Sequence, residues 1–249
     1  MGSKGCIFYT DNLIQEPIKS IVEEHIFKAG LPITSCSLKP LNFGKNIVLN
    51  LEPSFLTYMT QIKTALENSA ADYVFFTEHD CIYPLSHFDF VPSCDSIFYY
   101  NSNVYRWLFG SDKAITYDRL ISLSGLCVNR KLALDHYERR LAKAKTLGEQ
   151  EKREPAWARA WGYEPGTKKK KRGGFSDDDF ETFKSEHPIV DIRHHGTISK
   201  IKVTLNSFKH QPTGWVEIPI EKIPGWDIRK LFNDEIKQQQ NRHQEDHLH

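Results

Sequence analysis

The stretch Tyr73-Val74-Phe75-Phe76-Thr77-Glu78-His79-Asp80 decides how the chain is expected to fold. Its first four residues are aromatic or β-branched, which is typical of a strand buried on both faces. Two carboxylates, Glu78 and Asp80, follow where that strand ends. In open α/β sheets, ligands bind beside the carboxyl ends of the strands. The stretch therefore predicts a central strand leading into a ligand site, and an ordinary acidic loop is the alternative.

Strand and helix patterns alternate before this stretch. The expected elements are a strand at 5–10, a helix with an apolar face from Ile18 to Ile26, strands at 33–38 and 46–50, and a helix capped by Ser54. Such alternation predicts an α/β fold with a mainly parallel sheet flanked by helices. Asp11, which follows the first strand, is then expected at the same sheet edge as Glu78.

The C-terminal half has a less regular pattern. We expect strands at 96–99 and 120–128, a helix at 130–147 where the sheet finishes, and a strand at 189–192 that leads into Arg193 and His194. These patterns divide the chain into an α/β core over 1–147, a segment of the same domain over 148–232, and a polar tail over 233–249.

Composition excludes several classes of protein. The 249 residues carry a net charge of +1, so any basic surface that binds nucleic acid has to be local. The five cysteines include no C-x-x-C pair, which suits reduced thiols and argues against a zinc ribbon. No stretch has the length of a membrane span and no secretory signal is recognisable. We expect a cytoplasmic protein with no membrane partner.

The spacing of Glu78 and Asp80 points to a divalent cation. Carboxylates two residues apart at a strand end can bind a metal directly with one group, and through water or a ribose with the other. Hard oxygen ligands favour Mg²⁺ or Mn²⁺, ions that are commonly bound together with substrate phosphates. Because side chains alternate along a strand, His79 is expected to point away from both acids and to have a packing role.

Several stretches, taken in order, resemble one family. They are Gln61-Ile62, Leu66, Ala71–Pro84, His87-Phe88, Tyr100–Asn103 and Val190–His194. The chain resembles the GT-A-type nucleotide-sugar glycosyltransferases, and within them a small phage and bacterial group in which the usual D-x-D motif is written E-H-D. The resemblance implies a GT-A, Rossmann-like fold and transfer of a hexosyl or pentosyl group from a nucleoside-diphosphate sugar, such as a UDP-sugar. For a phage-encoded member, the compartment is the host cytoplasm.

The resemblance also implies roles for individual residues. It assigns nucleotide binding to Thr10, Asp11 and Asn12, the ribose and the metal to Glu78 and Asp80, and completion of the Mn²⁺ or Mg²⁺ coordination to His194. The family pattern leads us to expect Arg-His-Gly, whereas this chain has Arg-His-His-Gly. His195 is therefore a rival ligand.

Three further polar residues are candidates for the donor site. Arg193 is suited to the diphosphate, and an ion pair with Asp191 or a neighbour is the alternative. Asn101 and Asn103 carry short amides suited to sugar hydroxyls, and turn formation is their alternative role.

An inverting enzyme also needs a carboxylate that deprotonates the acceptor hydroxyl. Glu164, held by Pro165-Gly166, and Asp178 are the candidates. Capping of a helix from Ser176 is the alternative role for Asp178. A retaining enzyme needs no such base, so the stereochemical course stays open.

The acceptor is suggested by a basic run, which consists of Lys168, Lys169, Lys170, Lys171 and Arg172. Five cations can contact phosphates, and a solvated loop is the alternative. Phage members of the group are associated with sugar addition to hydroxymethylated bases. The favoured acceptor is thus a 5-hydroxymethylated pyrimidine in DNA, ahead of a saccharide or small-molecule hydroxyl.

Two other function classes compete with a glycosyltransferase. A nucleotidyltransferase normally has a glycine-rich phosphate loop after its first strand, and Thr10-Asp11-Asn12-Leu13 is not one. A non-catalytic nucleic-acid-binding module explains the lysines but leaves Glu78, Asp80 and His194 without a role.

Overall fold

The computed structural model describes residues 2–147, 165, 179–197 and 201–232. In chain order the elements are β1 (Lys4–Thr10), α1 (Ile18–Phe27), β2 (Ile33–Ser37), β3 (Lys45–Val48), α2 (Phe55–Asn68), β4 (Tyr73–Glu78), β5 (Cys81–Ile82), α3 (Leu85–Phe88), β6 (Phe98–Asn101), β7 (Val104–Leu108), β8 (Lys113–Thr116), β9 (Leu126–Asn129), α4 (Arg130–Leu147), β10 (Phe180–Phe183), β11 (Ile189–Arg193), β12 (Val216–Pro219) and α5 (Ile228–Leu231).

The larger sheet has seven strands in the order β10-β6-β9-β4-β1-β2-β3. The strands from β4 to β3 are parallel, and β9 runs antiparallel to both β4 and β6. Tyr9 is the register partner of Glu78, so β1 and β4 end side by side. The prediction of an α/β fold with a mainly parallel sheet flanked by helices is confirmed.

The burial of β4 explains its uninterrupted apolar run. Val74 and Phe76 pack in the core that includes the buried faces of α2 and α4, whereas Phe75 packs in the core that includes α1 and the smaller sheet. All three side chains are fully buried. Burial of a side chain of this size stabilises the fold by about 1.5–3 kcal/mol. A polar side chain without a hydrogen-bond partner at any of the three positions would therefore destabilise the fold.

The smaller sheet has five strands in the order β12-β8-β7-β11-β5. Strand β5, which directly follows Asp80, pairs antiparallel with β11. The Ile192 amide donates a hydrogen bond to the Asp80 carbonyl at 2.8 Å. This pairing brings the C-terminal strand against the acidic motif.

Local signals predicted several elements well. Ser54 caps α2, where its hydroxyl accepts a hydrogen bond from the Thr57 amide at 3.0 Å. The helix at 130–147 and the strand that leads into Arg193 are also confirmed. None of the helices in the described ranges has the length and apolar character needed to span a bilayer.

Other expectations about the C-terminal half were wrong. The sheet does not finish at α4, because β10 adds to its edge beside β6. Of residues 120–128, only 126–128 lie in a strand, and residues 123–125 form a single 3₁₀ turn. Asp179 has 3₁₀ conformation directly before strand β10, and residues 176–178, where the helix cap was expected, lie outside the described residues. Four-residue strands are too short for a periodic pattern, and their pairing with distant segments decides their conformation.

Candidate functional site

The site begins with Glu78 at the carboxyl end of β4. The Tyr9 hydroxyl donates a hydrogen bond of 2.9 Å to Glu78 Oε1, because the two residues are paired across β1 and β4. The Glu78 amide in turn donates to the Tyr83 hydroxyl at 2.9 Å. Both tyrosines are buried, so Tyr9 orients the half-buried Glu78 side chain and Tyr83 fixes its backbone.

His79 faces the loop that follows β1. Its Nδ1 atom lies 2.7 Å from Thr10 Oγ1 and 3.9 Å from Asp11 Oδ1. The expectation that His79 points away from the acids is wrong. Alternation of side chains holds only within a strand, and β4 ends at Glu78, so His79 and Asp80 lie in a turn. The structure therefore adds His79 to the candidate site.

Asp80 and His194 meet where β5 pairs with β11. His194 Nε2 lies 3.7 Å from Asp80 Oδ2, and one ligand atom from each of His79, Asp80 and His194 lies within 4.8 Å of the others. His194 Nε2 is buried and has no hydrogen-bond partner in the part of the chain that the structure describes. His195 is exposed. Of the two rival histidines, His194 is therefore the one beside Asp80.

The two carboxyl groups have opposite pKa shifts. Burial, together with the negative charges of Asp80 and Asp191, raises the pKa of Glu78 to about 8. Burial alone would also raise the pKa of Asp80, but the neighbouring His194, His79 and Arg193 outweigh it and lower that pKa. Asp80 is therefore ionised at neutral pH whereas Glu78 holds its proton, and a cation beside them would favour the ionised form of Glu78.

Arg193 belongs to a buried network behind this cluster. Asp191 accepts hydrogen bonds from Arg193 at 3.1 Å and from Arg106 at 2.9 Å. The ion pair expected as the alternative role of Arg193 is present, and it is buried. Sequence reasoning missed Arg106, because the short strand β7 that carries it has no clear pattern. The position of Arg106 between Tyr105 and Trp107 is the sequence feature that could have indicated a partly buried arginine.

The loop after β1 is shaped by its own polar side chains. Asn12 Oδ1 accepts hydrogen bonds of 2.8 Å from both the Leu38 and the Lys39 amides, and Asn12 has a φ of 62°. Asp11 Oδ1 accepts a hydrogen bond from the Leu13 amide at 3.0 Å. A cavity of about 240 Å³ lies beside this loop and is lined in part by Phe8, Thr10, Asn12 and Leu41. These residues build one wall of a small concave site next to His79.

A larger cavity, of about 560 Å³, lies elsewhere. It is lined in part by Asp72, Tyr73 and Arg130, at the start of β4. It is thus at the opposite end of the strand from Glu78, whereas ligands of α/β sheets bind at the carboxyl end. We place the site at the smaller cavity and the carboxylates.

The Asn101 side chain forms its hydrogen bonds with other residues of the protein. Asn101 is fully buried, and its Oδ1 atom accepts hydrogen bonds from the Asn103 amide at 3.0 Å and the Ser185 amide at 3.3 Å. Asn103 Nδ2 donates to the Ser185 carbonyl at 2.9 Å. The turn-forming role is therefore the one seen for Asn101, whose amide is engaged with Ser185 and Asn103. Asn103 is half-buried and stays a candidate.

The remaining candidates lie outside the described residues. They are Glu164 and Asp178, proposed as the base, and the basic run of Lys168, Lys169, Lys170, Lys171 and Arg172.

Comparisons with known proteins identify no family. No protein-family model and no curated protein matches the chain. A solved structure that matches in part is described as that of a glycosyltransferase involved in the glycosylation of the major capsid of PBCV-1. It shares 10% identity with this chain at a TM-score of 0.35, and the match covers 56% of this chain and 65% of that one. A likeness at this level carries no argument about function.

Proposed function

We propose that the chain is a metal-dependent glycosyltransferase that moves a sugar from a nucleoside-diphosphate sugar to a hydroxyl acceptor. One observation carries this proposal. His79, Asp80 and His194 come together within 4.8 Å although they lie on two separate segments of the chain. They meet at the carboxyl end of the parallel strands β1 and β4, where α/β sheets bind their ligands.

The donor set fits a divalent cation. Ligands on opposite sides of an ion of this size are about 4.2 Å apart, close to the observed spread of the three ligand atoms. Buried His194 Nε2 makes no hydrogen bond to the described residues and lies 3.7 Å from Asp80 Oδ2. His79 Nδ1 is engaged with Thr10, which leaves its Nε2 atom for an ion. Two imidazoles beside one carboxylate favour Mn²⁺ over Mg²⁺, which prefers oxygen.

Ligation by His194 requires one local adjustment. The Gly196 amide donates to His194 Nδ1 at 3.2 Å, so the neutral ring carries its proton on Nε2, facing Asp80. Ligation through Nε2 moves that proton to Nδ1, and the Gly196 contact then has to open. Gly196 lies in an exposed turn, where opening this contact costs little free energy.

The proposed chemistry depends on where negative charge develops as the sugar is transferred. When bound, a divalent cation supplies Lewis-acid stabilisation of the negative charge on a departing diphosphate. Asp80, His194 and His79 would hold the cation, and Thr10 fixes the orientation of the His79 ring. Arg193 adds a positive charge behind Asp80. Glu78, held by Tyr9, is in position to bind hydroxyls on the nucleoside side.

The nucleoside is proposed to occupy the cavity beside the β1 loop. Thr10 lines that cavity and contacts His79, so we propose that a diphosphate attached to a nucleoside there extends towards the Asp80 cluster. We propose UDP as the nucleotide, in line with the family resemblance.

The acceptor side of the proposal rests on the sequence alone. The favoured acceptor is a 5-hydroxymethylated pyrimidine in DNA, because of the basic run at 168–172, and Glu164 or Asp178 is the proposed base. A saccharide or small-molecule hydroxyl is the alternative acceptor.

The proposal is tested with a panel of nucleotide sugars in Mn²⁺, each incubated with plain DNA, with 5-hydroxymethylcytosine DNA or with simple saccharides. Nucleoside mass spectrometry and donor hydrolysis are the measurements. Asp80→Asn should lower Mn²⁺-dependent donor turnover at least 100-fold, the scale of losing one transition-state contact. Asp135→Asn is the matched control, because it removes an exposed carboxylate on α4 that pairs with Arg139.

The possible outcomes test the DNA acceptor and the glycosyltransferase activity separately. Donor turnover without a DNA adduct would reject the DNA acceptor and keep the glycosyltransferase. Absence of Mn²⁺-dependent nucleotide binding and of donor turnover in the wild-type protein would reject both.

A further inference from the structure

Three aromatic side chains cluster at one end of the smaller sheet. The Tyr117 and Trp215 rings are nearly parallel, with centroids 6.0 Å apart and an interplanar angle of 7°. Phe208 meets both of them edge-on, at 5.3 Å from Tyr117 and 5.8 Å from Trp215. All three are half-buried. We call these three residues the aromatic platform.

The backbone holds the platform in place. The Asp118 amide donates a hydrogen bond to the Thr213 carbonyl at 2.9 Å, which ties the loop before β12 to the end of β8. Gly214 has a φ of 63°, and a Cβ atom at this position would lie 2.2 Å from Asp118 Oδ1. Only glycine allows the loop to approach so closely. Trp215 is therefore held against Tyr117 without a ligand.

A chain of polar contacts joins the platform to the candidate metal site. Arg106 donates one hydrogen bond of 2.9 Å to the Tyr117 hydroxyl and another of 2.9 Å to Asp191. Asp191 also binds Arg193, and His194 is the next residue. The platform thus lies on the same sheet as the Asp80–His194 pair and is joined to it by these polar contacts. It lies where β7 and β11 begin, whereas His194 follows the end of β11.

The charge around the platform is basic. Residues 201–215 contain Lys202, Lys209 and His210 and no acidic residue. Lys202 Nζ lies 5.0 Å from the centre of the Phe208 ring. The acid nearest the platform loop is Asp118, which faces Gly214. Aromatic rings interleaved with cations are the combination that binds single-stranded nucleic acid, because bases stack and phosphates are neutralised.

We propose that the aromatic platform stacks an unpaired nucleobase of single-stranded or locally opened DNA, with Lys202 and Lys209 contacting its phosphates. This proposal goes beyond the proposed function, because it gives the protein a nucleic-acid contact apart from the metal site. Stacking at the platform does not require that function.

The test uses the full chain and a fluorescein-labelled oligothymidylate, titrated at low salt and followed by fluorescence anisotropy. Loss of one base–aromatic stack weakens binding about tenfold, so Trp215→Leu should raise the Kd by that factor. Trp215→Phe keeps an aromatic ring and should stay within about threefold of the wild type. Phe27→Leu is the matched control, because Phe27 is a 72% exposed aromatic residue on α1, away from the platform.

A second variant covers the case in which Trp215→Leu does not fold. Lys202→Gln removes one proposed phosphate contact, so the slope of log Kd against log salt should fall by about one. Equal affinity and equal salt slope in the wild type, Trp215→Leu and Lys202→Gln would overturn the proposal. A saccharide acceptor whose KM rises in Trp215→Leu, with oligonucleotide affinity unchanged, would also overturn it.

A separate titration distinguishes this inference from the proposed function. The wild-type protein is titrated with UDP in Mn²⁺. Absence of UDP binding contradicts the proposed function and leaves the stacking result valid. Absence of oligonucleotide binding contradicts the platform and leaves the UDP result valid.

Discussion

His194 Nε2 lies 3.7 Å from Asp80 Oδ2, and the pairing of β5 with β11 holds the two residues there. The Ile192 amide binds the Asp80 carbonyl, so the backbone positions both side chains without help from an ion. A site assembled in this way loses little entropy when it binds a cation, because its ligands are already ordered. Four predictions follow from this site and from the buried groups around it.

Replacing His194 should weaken Mn²⁺ binding much more than replacing its neighbour. His194→Ala removes the imidazole beside Asp80, and we expect the Mn²⁺ affinity to fall at least tenfold. His195→Ala removes an exposed imidazole one residue away and should leave the affinity unchanged. Isothermal titration with Mn²⁺ and UDP measures both. Equal losses in the two variants would contradict the assignment.

Thr10 is expected to act through His79. Thr10→Val removes the hydroxyl that binds His79 Nδ1, so the ring is no longer held in one orientation. Loss of such a supporting contact typically costs 10–100-fold in metal affinity. Thr10→Ser keeps the hydroxyl and should restore most of the binding. Failure of serine to restore it would show that the methyl group, and not the hydrogen bond, is what matters.

Glu78 should make the metal-free protein less stable as the pH rises. Its pKa is about 8 in the folded chain and about 4.5 in the unfolded chain, so between these values the folded state holds a proton that the unfolded state has lost. The free energy of unfolding then falls with pH by up to about 1.4 kcal/mol per unit.

Glu78→Gln removes this dependence. Its stability relative to the wild type should therefore increase from pH 5 to pH 8, as measured by urea unfolding in the presence of a chelator. If the free energy of unfolding changed with pH in the same way in both proteins, the prediction of a buried, protonated Glu78 carboxyl would be wrong.

His87 should have the opposite effect at lower pH. Its ring is fully buried against Phe75, Phe88 and Phe183, and burial lowers its pKa to about 3. Between pH 3 and pH 6.5 the unfolded state binds a proton that the folded state does not. Stability is therefore lost as the pH falls below 6.5, by up to about 1.4 kcal/mol per unit.

His87→Phe fills the same aromatic site without a titrating group. Its stability relative to the wild type should rise as the pH falls from 7 to 4, because any contribution from Glu78 is common to both proteins. A difference in stability that does not change with pH would contradict the prediction. Urea midpoints at several pH values provide the measurement.

Local patterns predicted the elements that are long or capped. Sequence patterns identified the apolar run 73–76, the Ser54 cap and the helix at 130–147. Burial and capping favour particular residue types at nearby positions, so these elements can be recognised from the sequence. Strands β7, β8 and β10 were missed. Each is four or five residues long, and pairing with distant strands is what holds it extended.

Some of the site residues were likewise predicted from the sequence, and others were identified only from the structure. Sequence marked Glu78 and Asp80 as paired acids at a strand end, and the family resemblance gave His194 as the metal ligand with His195 as its rival. It favoured packing for His79, and for Asn101 it left both sugar binding and turn formation open. The structure places His79 beside Asp80, and it buries Asn101 in contacts with Ser185 and Asn103.

The sequence by itself determined the α/β alternation, the central strand and the position of the acidic motif after it, because these depend on burial and spacing along the chain. Only the tertiary structure decided which histidines join Asp80 and which arginine supports Asp191. Side-chain alternation ends where β4 ends, so the direction of His79 cannot be read from spacing. The neighbour of Asp80 depends on the pairing of β5 with β11, a contact between segments far apart in the chain.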